Sequence, residues 1–376
     1  MDKHQYLSKL SLVNFKNYKQ LDIILSPDIN CFIGANGVGK TNILDALYYL
    51  SMCRSYLNPI DSQNIQFDEG FFMIQGSWQN EERTDTIYCG VKRGQKKVFS
   101  KNKVAYEKLS DHIGSYPCVM ISPYDRDLIT EGSEERRKWL DSIISQFDRD
   151  FLNDLIKYNK VLEQRNALLK NMFNRGFFEL EDISVWDEQL VTIGCRIYQK
   201  RAQMIVDFIP IFQKYYQWLS NDRELVDLNY RSQLSEGDFS DLLAQAQFLD
   251  RQRGNTSVGP HKDDFIFTIN GQNIKKFGSQ GQQKSYLISL RLAQYEWLLE
   301  NLKKKPVLLL DDIFDKLDNS RVERLMQMVH NQRFGQVLIT DTDKDRIASI
   351  FEKNGIPYKA FYVNQNTIVE ENEIAV

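Results

Sequence analysis

The sequence predicts an α/β protein built around a phosphate-binding loop, with a mainly helical lobe inserted into it. Three observations lead there. A glycine-rich turn lies between a short apolar run and a helical pattern in CFIGANGVGKTNILDALYYL, residues 31–50. From about residue 133 the hydrophobic period changes to steps of three and four. Strand patterns then return near DDFIFTINGQNI.

Composition sets the outer bounds. At 376 residues, 42% apolar and 26% charged, the chain has the make-up of a globular protein long enough for two domains. No apolar run approaches the roughly 20 residues a bilayer requires, and MDKHQYLSKL lacks the apolar core of a signal peptide. Five scattered cysteines without a CxxC pair argue against a disulfide framework or a zinc site. A cytoplasmic location without membrane contact is the expectation. A net charge of −3 means that any nucleic-acid contact must come from local basic patches.

Residues 7–33 read as strands: LSKLSLVNF alternates, LDIIL follows, and the buried run INCFI enters the glycine turn. After Thr41, Ile43, Leu44, Leu47, Tyr48 and Leu50 repeat at helical spacing. DTIYCGVK and YPCVMIS are strand-like. The helical block carries Trp139, Leu140, Ile143, Ile144 and Phe147, then Trp186, Leu190, Ile193 and Ile197, then Phe239, Leu242, Leu243 and Ala246, with almost no period-two pattern between 133 and 253. Asn270-Gly271 marks a hairpin. A helix with Tyr286, Leu290, Ala293 and Trp297 on one face follows, then the buried strand VLLLDD, a further helix, and the strands QVLIT and KAFYV.

Gly34-Ala35-Asn36-Gly37-Val38-Gly39-Lys40-Thr41 satisfies G-x-x-x-x-G-K-[ST]. Such glycines let backbone N–H groups turn around a β-phosphate at a helix N-terminus, where the dipole favours negative charge. Lys40 is the candidate for the β- and γ-phosphates, and Thr41 for Mg²⁺. VLLLDD, residues 307–312, reads as a Walker B strand: Asp311 is placed near the Mg²⁺ and Asp312 as the group that polarises an attacking water.

FGSQGQQKSYLISLRLAQ, residues 277–294, is a small polar turn leading into a helix just before the Walker B strand. That order resembles the ABC-type ATPases, whose LSGGQ signature caps a γ-phosphate held by the opposite subunit. Ser279, Gly281 and Gln282 match, while Gln280 and Gly278 depart from the pattern. The competing reading is a plain helix N-cap at Ser279. Asp318, in Asp315-Lys316-Leu317-Asp318, falls where these ATPases carry the D-loop aspartate.

Further blocks narrow the resemblance. LSLVNFKNY, GANGVGKTNILDALYYL, CRSY, ISPYDRDLITEGSEERRKWLD, VGPHKDDF and GSQGQQKSYLISLRLA resemble the RecF family of DNA-repair ATPases over almost the whole length. The resemblance implies an ABC-type P-loop ATPase head of the Rad50/SMC class, a mixed sheet with flanking helices, formed by 1–130 and 255–376. A mainly helical lobe, 131–254, stands in place of a coiled coil. It also implies ATP and Mg²⁺ as cofactors, an ATP-dependent homodimer, binding to single- or double-stranded DNA at gaps or junctions, and slow hydrolysis. Its implied partners are RecR and RecO, with RecA loaded indirectly. Leu57 stands where the family commonly has an arginine, and ISPYD occupies the place of the Q-loop glutamine. Another Rad50/SMC-like ATPase or a P-loop phosphotransferase remains the alternative; the latter leaves GSQGQQ unexplained.

Basic candidates for DNA phosphates are Arg136 and Arg137, against a solvated helix face paired with Glu134 and Glu135. Lys92, Arg93, Lys96, Lys97, Lys101 and Lys103 form the densest basic run, the first four being the candidates for DNA, against plain solvated surface. His261, with no second metal ligand at useful spacing, reads as structural.

Overall fold

The computed structural model describes residues 5–80, 83–175, 180–220, 224–314, 319–330, 334–365 and 367–370. The chain divides into two compact units, Met1–Asp125 with Leu290–Val376, and Arg126–Ser289.

The first unit has two six-stranded sheets. One is antiparallel: β1 (Tyr6–Phe15), β2 (Tyr18–Ile24), β4 (Phe71–Gln79), β5 (Thr84–Lys92), β6 (Val98–Lys101) and β7 (Val104–Ala105), in the order β2-β1-β4-β5-β6-β7. Alternating burial along β4 and β5 marks a sheet with one face on the core. The other comprises β3 (Ile29–Ile33), β8 (Cys118–Ile121), β12 (Val307–Leu310), β13 (Val337–Asp341), β14 (Lys359–Asn364) and β15 (Thr367–Glu370). Its order is β15-β14-β3-β13-β12-β8, parallel except for β15. β3, β8, β12 and β13 are buried at every position, as their unbroken apolar runs require.

Helix α1 (Lys40–Met52) is buried at every residue from Ile43 to Met52. It shares one apolar cluster with Phe72, Ile74 and Ile87 of the antiparallel sheet and with Phe32, Leu309 and Leu338 of the parallel one. A helix enclosed in this way cannot leave a charge unpaired. Asp45 is accordingly satisfied by Lys16 at 2.5 Å, by the Ser55 hydroxyl at 2.6 Å and by the Tyr56 N–H at 2.6 Å. The CRSY block therefore works as the cap on a buried acid. Helices α9 (Asn319–His330) and α10 (Lys344–Asn354) complete the unit.

The second unit holds α2 (Asp127–Thr130), α3 (Ser133–Phe147), α4 (Arg149–Arg175), α5 (Leu180–Ser220), α6 (Phe239–Arg253) and α7 (Ile274–Phe277). Helix α8 (Gln280–Leu302) starts in this unit, and the unit boundary falls within it. Two features depart from expectation. A strand, β9 (Val226–Arg231), lies inside the helical block and pairs with β10 (Asp264–Ile269). β10 turns through Asn270-Gly271, both at positive φ, into β11 (Gln272–Asn273), the hairpin expected there. Because β10 and β11 pair with β9 rather than with a sheet of the first unit, residues 255–289 group with the helical unit. The expected return to the head at 255 moves to 290.

Two buried arginines hold this unit. Arg165 meets Asp187 at 2.5 Å and Asp250 at 2.7 Å. Arg201 meets both oxygens of Asp141 at 2.8 Å and Asp263 at 3.0 Å. Removing either partner would strand a buried charge.

Candidate functional site

Strand register assembles the site. β3, β13, β12 and β8 run parallel and side by side, so their C-terminal ends lie along one edge, where open α/β sheets bind ligands. Leu310 pairs with Ile339 on one side and Ile121 on the other. The next residue on each strand is Asp311, Thr340 and Ser122, and their side chains meet. Thr340 Oγ1 donates to Asp311 Oδ1 at 2.8 Å, and Ser122 Oγ to Asp311 Oδ2 at 3.3 Å. Thr41 Oγ1, at the start of α1, also donates to Asp311 Oδ1 at 2.8 Å, joining residues 270 positions apart. Burial pushes the Asp311 carboxyl above its usual range, while these hydroxyls and the Lys40 charge pull it back.

The loop between β3 and α1 is shaped by contacts a side chain would obstruct. Gly39 has φ 107°, and a Cβ there would lie 2.2 Å from Asn17 Nδ2. Asn17 itself holds the loop, donating to Val38 O at 3.1 Å and accepting from Asn42 Nδ2 at 2.7 Å. Lys40 Nζ donates to Gly34 O at 2.8 Å and Ala35 O at 3.0 Å, so the ammonium is held against the loop's own carbonyls. An anion offers it a full charge in place of two dipoles. The hydroxyl of Thr41 beside the carboxylate of Asp311 is a hard-oxygen pair that suits Mg²⁺, which takes few protein ligands and completes its shell with phosphate and water.

Asp312 occupies the left-handed region at φ 44°, and its N–H donates to Thr340 Oγ1 at 2.9 Å. A non-glycine residue in that conformation persists only where its surroundings impose it.

The family profile described as AAA ATPase domain matches residues 6–359. The chain is 47% identical to the DNA replication and repair protein RecF of Phocaeicola vulgatus, over 98% of this chain and 99% of that protein. It is 49% identical to the protein of the same name from Flavobacterium johnsoniae, over 95% and 99%. The chain belongs to the RecF family. Among solved structures, a RecF bound to ATP, described as a recombination mediator in the RecFOR pathway, matches with a TM-score of 0.89 and 29% identity over 98% of each chain. An Smc head domain derived from Pyrococcus furiosus matches with a TM-score of 0.57 at 17% identity, over 99% of this chain and 96% of that one, which shows a shared fold.

In this RecF-family chain the signature residues lie where α8 starts. Ser279 and Gln282 form a capping box: Ser279 N–H donates to Gln282 Oε1 at 2.7 Å, and Gln282 N–H to Ser279 Oγ at 3.2 Å. The helix N-cap reading is thus the geometry observed in the single chain, and it leaves Ser279 and Gly281 exposed. Asp318 lies outside the described residues. ISPYD, standing in the Q-loop place, supplies Ser122 to Asp311 and Asp125 to Arg291, at 2.6 Å.

Arg136, Arg137 and Lys97 are turned into the fold, and Arg93, though exposed, donates to Glu69 O at 3.2 Å. Arg136 forks onto Asp264 at 2.8 and 3.2 Å and also donates to Leu128 O. Arg137 donates to Asp263 O at 2.6 Å and Ser133 Oγ at 2.7 Å. Their expected partners, Glu134 and Glu135, pair instead with Lys138, at 2.8 and 2.9 Å, because the two arginines turn toward the 263–264 segment. Lys97 turns inward to Cys53 O at 2.6 Å and Asp61 at 2.9 Å, leaving 14% of its side chain exposed. Lys92, Arg93 and Lys96 remain exposed. His261 is structural: the Thr256 carbonyl, 3.1 Å from Nε2, can only accept, so the proton sits on Nε2 and Nδ1 accepts from the Tyr158 hydroxyl at 2.8 Å. Burial pushes its pKa down to about 4, so the ring is neutral.

Sequence reasoning missed Ser122, Thr340 and Asn17. QVLIT and LVNFKNY held the last two in view, but only strand register and loop packing disclose what they touch.

Proposed function

We propose that this protein is an ATP-gated, DNA-binding switch of recombinational repair. The observation that carries it is the Thr41–Asp311 bond, which brings the loop threonine and the Walker B carboxylate together as one site. Gly34 through Thr41 cradle the triphosphate of ATP, with Lys40 against its β- and γ-phosphates. Thr41 and Asp311 hold Mg²⁺, which when bound neutralises charge on the phosphates. Asp312 orients and polarises the attacking water. Its short side chain holds that water less closely than a glutamate would, which suits slow turnover.

In this reading two copies enclose two ATP molecules, and Ser279, Gly281 and Gln282 of each copy meet the γ-phosphate held by the other, with Asp318 in the D-loop. ATP favours the dimer only through the contacts it gains there. The dimer grips DNA at gaps or junctions through exposed basic residues, Lys92, Arg93 and Lys96 among them, and hydrolysis ends the grip. The protein acts with RecO and RecR to help load RecA, in the cytoplasm; the repair part of this reading is supported by the solved relative described as a recombination mediator in the RecFOR pathway.

Sedimentation with saturating ATP tests the gate: wild type dimerises, and Lys40→Arg dimerises less and turns ATP over more slowly. An unchanged oligomeric state with ATP would refute it. Turnover measured with gapped, duplex and single-stranded DNA at stated salt identifies the DNA that stimulates it.

A further inference from the structure

The capping box at the start of α8 has a second support. The Gln282 side-chain amide has an oxygen end and a nitrogen end, and Ser279 N–H engages only the oxygen. The nitrogen donates to Glu224 Oε1 at 2.6 Å, and the other Glu224 oxygen accepts from the Tyr216 hydroxyl at 2.5 Å. A backbone N–H can only donate and an ionised carboxylate can only accept, so one orientation of the amide satisfies both neighbours. We infer that Glu224, anchored by Tyr216, is a positioning residue for the signature turn: it fixes the Gln282 amide and through it Ser279, for presentation to nucleotide on a second copy of this chain. The inference rests on the ATP-dependent dimer proposed above.

The geometry also reconciles the two readings of Ser279. Its hydroxyl oxygen accepts from Gln282 N–H, which uses a lone pair and leaves the hydroxyl proton for an acceptor. The residue is exposed at the N-terminus of a 23-residue helix, where the backbone dipole favours an anion. The capped conformation is therefore the one suited to meet a phosphate. Without Glu224 the Gln282 amide turns over freely, and its nitrogen competes for the place opposite the Ser279 N–H. The turn then samples conformations that must be frozen out when a second copy docks, a cost that falls on association and not on nucleotide capture by one chain.

The test compares Glu224→Ala with Glu224→Gln, whose carbonyl oxygen still accepts from Gln282. Two quantities are read: affinity of the single chain for a fluorescent ATP analogue at low protein concentration, and the protein concentration for half-dimerisation at saturating ATP. E224A is expected to need about ten times more protein to dimerise, with analogue affinity within about twofold of wild type, and E224Q to dimerise as wild type does. Wild-type dimerisation by E224A would overturn the inference. So would a parallel loss of analogue affinity, or an equal defect in E224Q. A wild-type protein that stays monomeric at saturating ATP would remove the dimer reading and this inference with it. An unaltered E224A beside a dimerising wild type overturns the Glu224 role alone.

Discussion

Thr340 offers the sharpest test of how the site is built. Its fully buried hydroxyl accepts from the Asp312 N–H at 2.9 Å and donates to Asp311 Oδ1 at 2.8 Å. Thr340→Val keeps the shape and deletes both bonds. The Asp312 N–H loses the acceptor it uses there, a cost of about 1–3 kcal/mol. Asp311 loses one charge-assisted bond but keeps Thr41 and Ser122, which puts that loss near the low end of about 1.5–3 kcal/mol. Since the two losses share one side chain, a combined destabilisation of about 3 kcal/mol is expected. For a unit of this size, at about 2–4 °C per kcal/mol, that is a fall of about 6–12 °C in melting temperature. Thr340→Ser retains the hydroxyl and loses one methyl, about 0.8 kcal/mol. Differential scanning calorimetry of wild type, T340S and T340V resolves the steps. A T340V protein melting as high as T340S would refute the claim that this hydroxyl ties Asp311 to the strained backbone of Asp312.

Other expectations follow from the same geometry. Gly39→Ala meets both the φ of 107° and a Cβ 2.2 Å from Asn17, so it should cost ATP affinity about a hundredfold in an equilibrium titration. Lys96→Ala should lower the salt slope of DNA binding by about 1, whereas Lys97→Ala should leave that slope unchanged and destabilise the fold by about 1–2 kcal/mol in urea. Burial pushes the His112 pKa down to about 4, with its Nε2 proton on the Leu50 carbonyl. Unfolded, the ring takes up a proton near pH 6.5, so stability should be full above that pH and fall by on the order of 3 kcal/mol on the way down to pH 4. His112→Gln should remove that part of the acid limb in pH-dependent denaturation and leave the similar part contributed by His261.

Much of this was legible in the residues because it is local. The loop from Gly34 to Thr41, the buried runs of β3 and β12 and the Asn270-Gly271 turn each carry their pattern within a dozen positions. β9 was not legible: VDLNYR is half exposed and takes its shape from β10, a partner far along the chain. The inward turn of Lys97 escaped for the same reason, since a basic run looks identical whether its members meet water or a carbonyl such as Cys53 O. Thr340 and Ser122 could be named only once Leu310 was seen to pair with Ile339 and Ile121.

The Thr41–Asp311 bond has a consequence for how the protein is made. β3 is a central strand whose neighbours, β13 and β14, are formed by residues 337–364. On a ribosome adding roughly 5–20 residues per second, Thr41 would wait roughly 15–50 s for Asp311 to be synthesised. Throughout that interval the phosphate loop has no Walker B carboxylate to meet. A nascent chain thus cannot close the site until synthesis has passed residue 311, and nucleotide can reward only a chain that has reached that point.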